Sequence, residues 1–200
     1  AEDNEATRLV TRVFSSTFEE GGGKVVAAET LKNQDNEVRG QLTKLRSANA
    51  DVLFAYASNG RLTALILKQL GEVRYKPKYV LSNHLMEDRE VRALPKQATD
   101  GIVYATLPID PEFSARFKKE MGYDADSAVA KSYAAAKLLF EAAKRAGSLD
   151  TAKIRDEIRN FGEYDSVVGR FVYKGTGDPV AFPVVRVMKD GNAVDFQPQH

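Results

Sequence analysis

An α/β fold is predicted, an open parallel sheet with helices on both faces, followed by a helical segment and C-terminal antiparallel strands. Three observations carry this. Short apolar runs alternate with segments of helical period as far as Pro108. Three helical stretches then follow one another without a strand between them. The chain closes on short β-type runs separated by glycine-containing turns.

Residues 4–20 place Leu9, Val10, Val13, Phe14 and Phe18 on one helical face, and Gly21-Gly22-Gly23 stops the helix. KVVAAE (24–29) has the length and composition of a short buried strand. Helical period returns over 36–47, with Val38, Leu42 and Leu45 aligned. DVLFAYA (51–57) is a near-continuous apolar run, the pattern of a strand covered on both faces. Residues 61–71 form a helix ended by Gly71, 78–81 a strand, 87–94 a short helix and 101–106 another strand. Beyond Pro108 come helices over 112–121, 127–146 and 150–160. On the middle one, Val129, Tyr133, Ala136, Leu139, Phe140 and Ala143 recur at three- and four-residue steps as a broad apolar stripe. The last pieces, 167–173, a KGTGDP turn, 182–188, an Asp190-Gly191-Asn192 turn and AVDF, read as an antiparallel hairpin set.

Composition removes several function classes. Lys and Arg total 29 against 28 Asp and Glu, a formal charge of +1, which provides no electrostatic footprint for nucleic acid or an anionic membrane. The absence of cysteine excludes disulfides, thiolate metal sites and cysteine nucleophiles. Of two histidines, His200 is terminal and His84 stands alone, too little for a histidine metal site or a catalytic triad. The glycine-rich pieces do not cradle phosphate, which needs a loop that follows a strand and opens a helix. Gly21-Gly22-Gly23 closes a helix, and KGTGDP joins two strands. Carboxylates lie mainly on polar helix faces or in turns. No cofactor is implied, and so poor a catalytic inventory argues for a binding module over an enzyme. The opening AEDNEATRLV is acidic and amphipathic, not a basic stretch before an apolar run, so it does not read as a signal peptide.

Open parallel sheets bind ligands beyond the carboxyl ends of their strands. That rule selects Glu29-Thr30, Ser58-Asn59-Gly60, Ser82-Asn83-His84 and Thr106-Leu107-Pro108. Ser58, Asn59, Ser82, Asn83, His84 and Thr106 are therefore the candidate ligand contacts, able to donate and accept hydrogen bonds to a compact polar solute. Ser58 or Asn59 could equally cap the helix that begins near Arg61.

Several stretches, in this order, resemble a known family: ADVLFAY before a helix, KPKYVLSN, DGIVYATLP, DSAVAKSYAAAKLLFEAAKRAG, then VVGRFVYKGTGDP and Lys189-Asp190-Gly191. The chain resembles the type I periplasmic binding proteins of the leucine/isoleucine/valine-binding group, over essentially its whole length. The resemblance implies two α/β lobes around a cleft that holds a small polar solute, delivery to an ABC-type permease, and a periplasmic location. A ligand-sensing lobe that controls a partner protein is the alternative. It implies residues 1–110 as a second lobe, 111–162 as crossover helices that would pack on a first lobe this chain lacks, and 163–200 as strands returning to the second lobe. The α-helical stripe of 127–146 would then need that lobe, or a second copy of the chain, to cover it. Within the cleft, the resemblance places ligand positions at Ser58 or Asn59 and at about Asn83, where the family carries an acid for an ammonium group. Asn83 cannot neutralise that charge, so free branched-chain amino acids are expected to bind weakly. Asp3 and Asn4 correspond to another cleft-facing loop.

Overall fold

The computed structural model describes residues 1–197. Two compact units are present: Ala1–Ala105 together with the chain from Val185 onward, and Thr106–Val184.

The first unit opens with helix α1 (Glu5–Glu20). Asn4 starts it through a capping box with Thr7: the Thr7 amide donates to Asn4 Oδ1 at 2.9 Å and the Asn4 amide to Thr7 Oγ1 at 3.3 Å. α2 (Arg39–Ser47), β1 (Val52–Phe54), α3 (Gly60–Glu72), β2 (Tyr79–Asn83), a 3-10 turn over His84–Glu87, and the one-turn helices α4 (Arg89–Arg92) and α5 (Lys96–Thr99) follow, then β3 (Val103–Thr106). β7 (Val184–Lys189) and β8 (Asn192–Asp195) complete a five-stranded sheet in the order β1-β2-β3-β7-β8. β1, β2 and β3 are parallel, registered Leu53 with Val80 and Asn83 with Ala105, while β7 and β8 form an antiparallel hairpin.

β1 shows why its run is apolar without alternation: successive side chains of a strand point to opposite faces, and both are covered. Phe54 stacks on Phe14 of α1 with ring centroids 4.0 Å apart. Leu53 packs on the other face with Leu42 of α2 and Ile66 and Leu70 of α3. A second cluster, Leu67, Met86, Val91, Ile102, Tyr104 and Met188, fills the region around β3 and β7. Beside it, the Tyr104 hydroxyl donates to Glu87 Oε1 at 3.1 Å, and Arg186 of β7 lies 4.0 Å from the same oxygen. Burial, then the Glu87 charge, raises the Tyr104 hydroxyl well above its ordinary value, so it stays a donor.

The second unit holds α6 (Pro111–Met121), α7 (Ser127–Ala146), α8 (Thr151–Arg159) and an antiparallel sheet of β4 (Glu163–Ser166), β5 (Gly169–Val172) and β6 (Val180–Ala181). Each helix is started by an aspartate: Asp110, Asp126 and Asp150 accept first-turn amides. α7 buries Ser127, Ala130, Ala134, Leu138 and Ala142, small residues for the most part, which let α8 and the sheet approach closely.

Several elements differ from the sequence expectation. Residues 24–29 do not form a strand: Val25 and Val26 are 37% and 50% exposed, and the neighbouring ladder consists of one parallel bridge, Glu2 with Leu31. A run this short holds strand geometry only through paired neighbours. The helix at 61–71 passes through Gly71 to Glu72. The closing strands are two separate systems: β5 turns back onto β6 within the second unit, and only β7 and β8 return to the parallel sheet. β4, β5 and β6 belong to the second unit, and the chain from Val185 belongs to the first. His200 lies outside the described residues.

Candidate functional site

The carboxyl ends of β1 and β2 carry the polar groups of the first unit. Strand neighbours lie about 4.8 Å apart, so the segments after Phe54 and after Asn83 meet at one edge. Most of their side chains first satisfy the backbone around them. Ser82 Oγ donates to the Ala55 carbonyl at 3.1 Å and Asn83 Nδ2 to the Ala57 carbonyl at 2.9 Å, both buried. Asn83 Oδ1 also accepts from the Leu85 amide at 3.1 Å, starting the 3-10 turn. These two residues fasten β1 to β2 just where the sheet ends.

Asn59 caps α3, accepting from the Leu62 amide at 2.9 Å, and its Nδ2 donates to Asn33 Oδ1 at 2.8 Å. Gly60 then opens the helix at a point with no room for a side chain: a Cβ there would fall 2.1 Å from Asp88 Oδ1. The Asp88 carboxylate caps α4 through the Glu90 amide, 2.8 Å away, while lying against the N-terminus of α3, where the helix dipole favours negative charge.

Glu2, which the strand-end rule did not select, is a buried carboxylate at the end of β1, 4% exposed. Its Oε2 accepts from the Ser58 amide at 2.8 Å and the Ser58 hydroxyl at 2.6 Å. Burial pulls its carboxyl upward, but the two Ser58 bonds, a further bond from Asn4 and the charge of Arg61 outweigh this and hold it below the ordinary carboxylate value. Glu2 is ionised at neutral pH. Its backbone is equally tied in, with the Glu2 carbonyl accepting from the Thr7 hydroxyl and the Glu2 amide donating to the Tyr56 carbonyl at 3.2 Å.

Glu2, Asn4, Ser58 and Asn59 are thus drawn together, with Ser82 and Asn83 one strand away. Asp3 instead pairs on the exposed surface with Arg8, 2.8 Å from its Nε. His84 opens the 3-10 turn, half-buried. Thr106 ends β3 one residue beyond Ala105, the register partner of Asn83, and its hydroxyl donates to the Leu107 carbonyl at 3.3 Å.

Chemically, this edge accepts. The Ser58 hydroxyl proton goes to Glu2 and one Asn59 amide proton to Asn33, which leaves the Ser58 oxygen lone pairs, beside the Glu2 charge, for whatever approaches. No group of three or more metal-ligating side chains occurs among the described residues, and no described helix is long and apolar enough to cross a membrane.

Residues 1–191 match the family model described as periplasmic binding protein. The Leu/Ile/Val-binding protein homolog 1 of Brucella abortus is 23% identical over 163 residues, which cover 79% of this chain and 43% of that protein. The crystal structure of the leucine binding protein LivK from Thermotoga maritima superposes with a TM-score of 0.83 at 25% identity, covering 94% of this chain and 55% of that one. The solute binding protein of an ABC transporter from Rhodopseudomonas palustris, in complex with 3,4-dihydroxybenzoic acid, gives the same fold, with a TM-score of 0.83 at 24% identity over 98% of this chain and 57% of the other. The chain spans about half the length of the relatives it matches. The fold and the match over residues 1–191 agree, and the chain belongs to the periplasmic binding protein family.

Proposed function

We propose that this chain is part of the solute-binding receptor of an ABC-type importer, and that the carboxyl edge of β1 and β2 contributes its share of the solute site. The solute is a small polar organic molecule, amino-acid-like or a related acid or amide. Its group facing this edge donates hydrogen bonds, as an ammonium or amide does. The observation that carries the reading is the Glu2–Ser58 pair: a buried, ionised carboxylate beneath an exposed serine, at the end of a parallel strand. Glu2 supplies the negative charge that Asn83, committed to Ala57 and Leu85, does not. Thr106, His84 and Asn59 line the same edge in this reading. The carboxylate end of a zwitterion would be held by the part of the receptor that the relatives possess beyond this chain's span. Presentation to a permease, and a periplasmic setting, belong to the same proposal.

A thermal-shift screen of amino acids, aromatic acids and amides on the intact receptor tests it. A true solute at a hundred times its dissociation constant stabilises the fold by about 2.7 kcal/mol. Glu2→Gln should then weaken an ammonium-bearing solute about tenfold or more and a neutral amide far less, since a charge-assisted hydrogen bond exceeds a neutral one by roughly 1–2 kcal/mol. A bound solute at the amino-terminal edge of the sheet would show the reading to be wrong.

A further inference from the structure

Between the buried side chains of Leu31 and Val38 the chain reads Lys32-Asn33-Gln34-Asp35-Asn36-Glu37, without one apolar residue. Packing cannot fix such a segment, so its order depends on hydrogen bonds. At its far end the Val38 amide donates to Oε1 of Gln69, a buried residue of α3, at 2.6 Å. Within it the Asp35 amide donates to the Lys32 carbonyl at 3.0 Å and the Lys32 amide to Asp35 Oδ2 at 2.8 Å, which closes a turn.

Arg61, at the start of α3, ties that turn to the rest of the unit. Its Nη1 donates to the Asp35 carbonyl at 3.0 Å and to Asn36 Oδ1 at 3.3 Å, and its Nη2 donates to the Asn33 carbonyl. The two arms of one planar fork thus serve three acceptors that lie 25 to 28 positions away in sequence. From Asn33 the order passes to the strand end. The cap on α3 commits Asn59 Oδ1 to the Leu62 amide, so Asn59 Nδ2 turns to Asn33 Oδ1, 2.8 Å away.

We infer that Arg61 is a positioning residue of the solute site: it pins the 32–37 loop at the carboxyl end of β1 and, through Asn33, fixes the Asn59 side chain next to Ser58. This role rests on the solute site proposed above and adds a residue to it. Asn33 Nδ2, on the far side of the amide whose oxygen meets Asn59, brings N–H donors to an edge where Ser58 and Glu2 accept. A solute with an acceptor beside its donor, as in an α-amino amide, matches both. A loop already ordered has less conformational freedom to lose when that solute arrives.

Arg61→Lys and Arg61→Met in the full chain test the role. Lysine keeps the charge, but its single ammonium cannot span the acceptors that the two arms of the fork serve; methionine keeps only an apolar stem. Without solute, amide exchange at Lys32 and Asp35 should quicken about tenfold in both variants, and the Asn59 side-chain amide signals should shift. Exchange at the Leu62 amide should stay as in the parent, with the thermal midpoint within about 3 °C of it. With L-alaninamide as the probe, both variants should bind about tenfold more weakly, since the loop must then be ordered on binding. Unchanged loop exchange and unchanged Asn59 signals would overturn the role. So would a lowered midpoint with faster exchange at Leu62, the mark of a mere brace for α3, or L-alaninamide bound equally by all three forms. If L-alaninamide binds none of them while the loop and Asn59 respond as stated, the placement of Asn33 and Asn59 by Arg61 is supported, and the solute reading is what fails.

Discussion

The Glu2 carboxylate is buried and ionised at neutral pH. Its folded value lies below the ordinary 4.5, so the stability it contributes is complete above that pH and is lost as pH falls through it. Glu2→Gln should therefore lower stability at neutral pH by about 1 kcal/mol, as charged acceptors become neutral ones, and flatten the acid limb below about pH 4.5. Denaturant titration of both forms between pH 3 and 7 checks this; a steeper acid limb in the variant would contradict it. Asn83 behaves oppositely. Its Nδ2 donates to a carbonyl, so Asn83→Asp would set acceptor against acceptor in a buried place. A loss of about 1–3 kcal/mol is expected from chemical denaturation, with no gain in affinity for amino acids.

At the scale of elements, the start of α3 depends on close approach. Gly60→Ala would drive a methyl group into the Asp88 carboxylate and displace the cap of α4. The expected cost is about 1–2 kcal/mol, the range of a lost cap. In an Asp88→Gly background the same substitution should cost nothing, since the clash is gone and alanine suits a helix better than glycine. A double-mutant cycle measures that coupling; additive effects would place the two residues apart. The elements themselves were legible unevenly. α1, α3 and α7 have long periodic patterns and explicit caps, and they lie within a residue or two of expectation. β4 is polar and unmarked by a turn, and it exists because β5 pairs with it from Glu163 to Ser166. Conversely, 24–29 has strand composition and no strand. Propensity cannot make a ladder without a partner.

At the scale of the whole chain, α7 carries two apolar faces. One is packed; the other keeps Tyr133 at 37%, Leu139 at 49% and Phe140 at 69% exposed, while Val129 and Ala143 of the same stripe are half-buried. Soluble monomers rarely expose a contiguous apolar patch of this kind unless it meets a partner. The isolated chain should therefore self-associate in light scattering at tens of micromolar (roughly, for a patch of a few hundred Å²), and Phe140→Glu should restore the monomer with little change in stability. A monomer before the substitution would remove that role from α7.

What the amino-acid sequence determined by itself was the set of units whose causes are local: helices with period and caps, an apolar β1, the change of pattern after Pro108, and the polar turns that follow β1 and β2. Periodicity and capping act within a few residues, so they can be read from neighbours along the chain. The parallel direction of the first strands was legible through the rule that alternating strands and helices wind in parallel; their order was not. Tertiary structure alone decided the rest. It brought Glu2 beneath Ser58 across 56 positions of sequence, tied the side chains of Ser82 and Asn83 to the Ala55 and Ala57 carbonyls, and left 24–29 outside the sheet. The physical reason is common to all three: a buried polar group or an unpaired strand edge takes whatever partner the fold sets beside it, and that partner lies far away along the chain.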